Sequence, residues 1–114
     1  MVLTQVQEID REAELFKTLA HPIRLALLEV LGQGEECVCH LTALLDRPQP
    51  YISKQLAELR EAGLVSDRRD AQRIYYRLAD ERVMLVLEAA RALSGRPSPP
   101  GPQTLSGCSC PRCS

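Results

Sequence analysis

Five cysteines fall into two groups, Cys37-Val38-Cys39 and Cys108-Ser109-Cys110-Pro111-Arg112-Cys113. A thiolate is both a nucleophile and a ligand for soft ions. The chemistry open to these groups is therefore metal(loid) binding or thiol redox, with inert burial as the bland alternative. The count is odd, and no stretch near the N-terminus joins basic residues to an apolar run, so the disulfide framework of a secreted protein is not expected. All-sulfur ligation selects thiophilic ions: trivalent arsenic or antimony takes three thiolates in a pyramid, and cadmium, lead or zinc accepts four. Two cysteines at i and i+2 of a regular helix point roughly 200° apart. Both reach one ion only where a helix starts or distorts.

The elements that must position these thiols can be read in order. From Val6 to Leu19, Ile9, Ala13, Leu15, Phe16 and Leu19 alternate with Glu8, Asp10, Arg11, Glu12 and Glu14 as an amphipathic helix. His21-Pro22 restarts it, and Ile23, Ala26, Leu27, Val30 and Leu31 form a core stripe that Gly32-Gln33-Gly34 ends. A third helix is expected from about Glu36 to Leu45, broken by Asp46-Arg47-Pro48-Gln49-Pro50. The next helix turns Ile52, Leu56 and Leu59 inward and Tyr51, Ser53, Lys54, Gln55, Glu58 and Arg60 outward, with Gly63 as its C-terminal cap. Val65 to Arg69 and Ile74 to Leu78 read as two strands joined by Asp70-Ala71-Gln72-Arg73, with Tyr75 and Arg77 on the face opposite Ile74, Tyr76 and Leu78. A last helix from Asp80 to about Ser94 is apolar over most of its circumference, so one face packs at home and another on a second subunit. Residues 1–94 thus form one domain, and 95–114 form a flexible Pro/Gly/Ser linker with a cysteine-rich tail.

This order predicts a mainly α fold with a small β-hairpin wing, a winged helix-turn-helix of α-α-α-α-β-β-α sequence. Net charge is −1, which alone argues against a nucleic-acid partner. The distribution argues otherwise: residues 42–78 hold seven basic and five acidic side chains, against three and seven in residues 1–41. Gln49, Tyr51, Ser53, Lys54 and Gln55 offer amide and hydroxyl groups to base edges and an ammonium to phosphate. Arg68, Arg69, Arg73 and Arg77 on the wing are placed to follow the backbone. No phosphate loop, Cys/His catalytic pair or paired carboxylates point to an enzyme, and the longest aliphatic run, Val83 to Leu87, is too short to span a bilayer. A cytoplasmic protein is expected.

Leu19-Ala20-His21-Pro22-Ile23-Arg24, Glu36-Cys37-Val38-Cys39-His40-Leu41, Gln49-Pro50-Tyr51-Ile52-Ser53-Lys54-Gln55-Leu56, Leu59-Arg60-Glu61-Ala62-Gly63-Leu64-Val65 and Ile74-Tyr75-Tyr76-Arg77-Leu78 together resemble the ArsR/SmtB family of metal-responsive repressors. The resemblance covers residues 12–94. It implies a homodimer joined through its first and last helices, a double-stranded operator with two-fold symmetry, and release from DNA when an inducer binds. The chain departs from the family pattern at Pro48, usually serine, at Gln55, usually histidine, and in a wing turn without glycine.

Cys37-Val38-Cys39 looks like the thiolate site of the arsenic- and cadmium-sensing branches; in the arsenic-sensing members the third thiol falls where Thr42 stands here. The tail offers the missing ligand, since the linker from Ser94 to Cys108 spans up to ~40 Å if extended. The expected ligand set is therefore Cys37 and Cys39 with Cys108, Cys110 or Cys113, and the inducer is arsenite or antimonite, with cadmium, lead or zinc at the same thiolates as the alternative. A redox- or persulfide-sensing repressor on the same scaffold is the other rival. The family's carboxylate and histidine site on the last helix looks absent, because Arg82, Leu93 and Arg96 accompany Asp80. His21 and His40 read as a helix start and a surface residue rather than ligands, with His40, beside Cys39, as a further candidate ligand.

Overall fold

The computed structural model describes residues 2–97, with side chains from residue 5 onward. Five helices and three short strands follow one another as α1 Val2–Leu19, α2 Pro22–Leu31, β1 Glu36–Cys37, α3 Val38–Leu45, α4 Gln49–Glu61, β2 Val65–Asp70, β3 Arg73–Leu78 and α5 Val83–Ser94. This is a winged helix-turn-helix, mainly helical, with a small antiparallel sheet. The expected order of helices and wing is observed, with one addition: the wing has a third strand.

The core is the meeting of three helix stripes. Leu27 and Leu28 from α2, Leu41 from α3 and Ile52, Leu56 and Leu59 from α4 are all fully buried. Each contributes about 1.5–3 kcal/mol by leaving water. Pro22 opens α2, where its missing N–H costs nothing, behind an extended His21. Gly63, at φ 78°, closes α4 and lets the Leu64 N–H reach back to the Leu59 carbonyl. Leu64 and Val65 then turn into the core.

The strands differ from the expected hairpin in extent and environment. β2 and β3 pair from Val65 with Leu78 to Asp70 with Arg73, which leaves a two-residue turn at Ala71-Gln72. Ala71 takes φ 57°, a left-handed conformation that costs a non-glycine residue roughly 1–2 kcal/mol. β1 adds to the other side of β3, Glu36 opposite Tyr76 and Cys37 opposite Tyr75. This corrects two expectations. Glu36 and Cys37 belong to a strand rather than the first turn of a helix, and the two faces expected of β3 do not divide into buried and open, since Tyr75 is buried beside Cys37 as Tyr76 is in the main core.

The last helix starts three residues later than expected, at Val83, after a turn from Ala79 to Arg82. Val83 and Leu87 face the core, and Glu29 on α2 pairs with Arg91 and Arg96, which ties α5 to α2 at its far end. The other side of α5 leaves Leu85 and Leu93 in solvent, as α1 leaves Val6, Ile9 and Phe16. Among the described residues no helix is long and apolar enough to cross a membrane.

Candidate thiolate site beside the nucleic-acid interface

Cys37 ends a strand and caps a helix. Its backbone is extended, at φ −80° and ψ 155°, and its Sγ accepts a hydrogen bond from the His40 backbone N–H at 3.3 Å. That sulfur faces the N-terminal end of α3, whose first N–H groups have no partner within the helix. Cys39 is the second residue of α3. The orientation problem of an i, i+2 pair therefore does not arise, because one thiol precedes the helix and the other lies inside it. Both border a single cavity of about 240 Å³.

The other walls of that cavity belong to the elements expected to meet DNA. Gln49 and Ser53 enter from the first turns of α4, and Gln72 and Arg73 from the tip of the wing. The thiols thus sit between the recognition helix and the wing, within reach of both. Behind them the ring of His40 is buried, and its Nε2 lies 3.7 Å from Glu36 Oε2. His40 is no surface residue, because the short β1 strand folds Glu36 back over it.

Among the described residues, no group of three or more His, Cys, Asp or Glu side chains is arranged to hold a metal ion. The described residues bring two sulfurs to one cavity. Thr42 occupies the place of the third, and its hydroxyl is buried without a hydrogen-bond partner; a neutral hydroxyl is a poor ligand for a soft ion. Cys108, Cys110 and Cys113 lie outside the described residues.

The expected DNA-facing set divides. Gln49 and Lys54 are exposed on α4, Tyr51 and Ser53 are half-buried beside them, and Arg69 is exposed on β2 with Arg73 half-buried across the turn. Gln55 does not belong with them. Its side chain is buried, and its Oε1 accepts a 2.8 Å hydrogen bond from Arg24 Nε. Ile52, Gln55, Leu56 and Leu59 follow the i, i+3, i+4, i+7 spacing of one face, so position outweighed polarity.

Arg68 is exposed but already engaged. Glu35 accepts hydrogen bonds from its Nε and Nη2 at 2.9 and 2.6 Å, Asp70 stands at 3.8 Å, and the guanidinium lies 4.5 Å from the centre of the Tyr75 ring. Cys37, Tyr75 and Arg68 lie opposite one another across the three strands, so a row of side chains joins the thiol to the wing. Glu35 and Tyr75 were not singled out in the sequence. A two-residue strand shows no alternation, and that strand covers Tyr75 and brings the half-buried Glu35 up to Arg68.

Asp80 is paired with its neighbour Arg82. Its carboxylate accepts hydrogen bonds from the Arg82 side chain, at 2.7 to 3.3 Å, and from the Arg82 backbone N–H at 3.0 Å. The Arg82 side-chain bonds, then the backbone one, hold its pKa down to about 2 from 3.8. A depressed carboxylate pKa contributes stability above the unfolded value and loses it as pH falls through the folded one, here between about 4 and 2. In an NMR titration Asp80 should show a midpoint near 2, and Arg82→Ala should return it towards the ordinary carboxylate range.

Comparison with known proteins agrees with this geometry. Residues 21–67 match the sequence pattern of the family described as "Bacterial regulatory protein, arsR family". A biofilm growth-associated repressor of Agrobacterium fabrum is 52% identical over 81 residues, covering 71% of this chain and 69% of its own. An arsenic resistance transcriptional regulator of Pseudomonas putida is 47% identical over 77 residues, 67% of this chain and 60% of its own. A homodimeric winged helix-turn-helix DNA-binding domain from Mycobacterium bovis superposes with a TM-score of 0.71 at 31% identity, covering 80% of this chain and 84% of that one. The helix-turn-helix, the wing and these relatives lead to one assignment: the chain belongs to the arsR family of bacterial regulatory proteins, transcriptional repressors of the winged helix-turn-helix type.

Proposed function

We propose that this protein is a cytoplasmic, dimeric repressor that holds a two-fold symmetric operator and lets go when a thiophilic metalloid, arsenite or antimonite, binds Cys37 and Cys39 together with at least one of Cys108, Cys110 and Cys113. The observation that carries the reading is the shared cavity: Cys37 and Cys39 line one side, Gln49 and Ser53 of α4 and Gln72 and Arg73 of the wing the other. An ion that draws a third sulfur over this cavity brings protein where α4 and the wing meet DNA. The arsenic resistance regulator among the relatives supports the choice of ion. A fourth sulfur would suit cadmium, lead or zinc instead.

On the DNA, Gln49, Tyr51, Ser53 and Lys54 take the major groove, and Arg69 and Arg73 take phosphates. Val6, Ile9 and Phe16 on α1 with Leu85 and Leu93 on α5, exposed in the single chain, join two subunits; that a relative of this fold is homodimeric supports the dimer itself. The two α4 helices then enter successive major grooves about 34 Å apart. The inducer need only bind the DNA-free conformation more tightly, and a difference of ~1–3 kcal/mol is typical of such coupling. The test is to select duplexes from a random pool with the full chain and titrate the winner with arsenite. Palindromic enrichment and release by arsenite are expected; binding indifferent to arsenite, antimonite and cadmium would refute the inducer.

A second reading, a redox or persulfide sensor on the same fold, draws on the two thiols bordering one cavity and the lack of a third ligand among the described residues. An ion-free disulfide or persulfide that abolishes DNA binding would favour it.

A further inference from the structure

We propose that Arg24 and Gln55 are positioning residues for operator binding, a link that sets the recognition helix against the dimer helix without touching DNA. The proposal rests on the operator-binding reading and adds to it residues that face away from the groove.

One guanidinium spans three helices. Arg24 stands on α2; its Nε donates to Gln55 Oε1 on α4 at 2.8 Å, and its Nη1 donates to the Thr18 carbonyl in the last turn of α1 at 3.2 Å. That carbonyl is one of the four that a helix end leaves without an internal donor. The donors of a guanidinium keep fixed directions within one plane, so holding two of them fixes the angle between their acceptors. Gln55 is 5% exposed, too deep in the core face of α4 to reach a base. The two helices joined in this way have different surfaces: α1 carries exposed Val6, Ile9 and Phe16, and α4 carries exposed Gln49 and Lys54. A change in the angle between them changes how the two recognition helices of a dimer are spaced.

The test uses the full chain and a duplex selected by the wild type. Gln55→Met keeps the length and removes the acceptor, Arg24→Met removes the donors, and Gln55→Glu keeps an acceptor. Gln55→Met and Arg24→Met should each weaken operator binding about ten- to hundredfold, the range for losing a hydrogen bond to a charged group. The double variant should bind no more weakly than the worse single variant. The salt dependence of binding should not change, because no phosphate contact is lost, and the loss should be even across single-base variants of the duplex. Gln55→Glu should bind like the wild type, which guards against a Gln55→Met protein that merely fails to fold.

A second measurement is made without DNA. Amide hydrogen exchange should quicken together in α4 and in the last turn of α1 in both methionine variants. A loss in Gln55→Met confined to one base pair, with Arg24→Met unaffected, would make Gln55 a base reader and overturn the proposal. So would wild-type exchange and affinity in both. If the wild type enriched no duplex, operator binding itself would be refuted, while the exchange measurement would still decide whether the link holds α1 to α4.

Discussion

Exchanging Cys37 and Cys39 together for serine should leave operator binding close to that of the wild type and abolish its release by arsenite. The fold should survive, because serine is among the best residues at the N-cap position that Cys37 occupies; its hydroxyl can accept from the His40 N–H as the sulfur does. Cys39 is only half-buried, so a hydroxyl there remains close to water. What is lost is two soft ligands of three, and a hydroxyl does not replace a thiolate for a thiophilic ion. The coupling between inducer and DNA, ~1–3 kcal/mol in a typical allosteric protein, should fall to about zero. Titration of the protein-operator complex with arsenite, followed by fluorescence anisotropy, reads this directly. Normal release from the serine variant would move the inducer site elsewhere.

Placing glutamate at both Ile9 and Phe16 should give a folded monomer that no longer holds the operator. Both positions are more than half exposed in the single chain, at 57% and 56%, so the charges cost the monomer little, within about 0.5 kcal/mol each. Between two subunits the same charges meet the apolar surface that includes Leu85 and Leu93, 65% and 92% exposed in one chain. Desolvating unpaired carboxylates there costs several kcal/mol. Without the partner each recognition helix binds a half-site alone, and the loss of bivalency lowers affinity by roughly 10²–10⁴. Sedimentation gives the mass and anisotropy the affinity. A dimer with wild-type affinity would show that α1 is not the interface.

Much of this arrangement was legible in the residues. The helices announce themselves by apolar spacing, Pro22 and Gly63 mark a start and a stop, and the wing follows from two strand-like runs. What escaped was local. β1 is two residues long, too short for any periodic signal, yet it converts Cys37 from a helix residue into a cap and buries Tyr75 and His40. Gln55 was read by its chemistry, when its place in the stripe of Ile52, Leu56 and Leu59 said core. The sequence places Arg68 on the wing but hides its partner, because Glu35 lies 33 residues away and meets it only through the pairing of β1 and β2 on β3. Ala71 shows the reverse: the wing turn lacks glycine, and an alanine accepts the left-handed backbone instead.

The central claim is that Cys37 and Cys39 hold the inducer together with a thiol of the tail. Counting the sulfurs around arsenic by X-ray absorption, in the full chain and in a chain ending at Gly107, tests it most directly. Three sulfurs in the full chain and two in the shortened one, with weaker arsenite binding, are the expected result. Three sulfurs and unchanged affinity in the chain ending at Gly107 would contradict it.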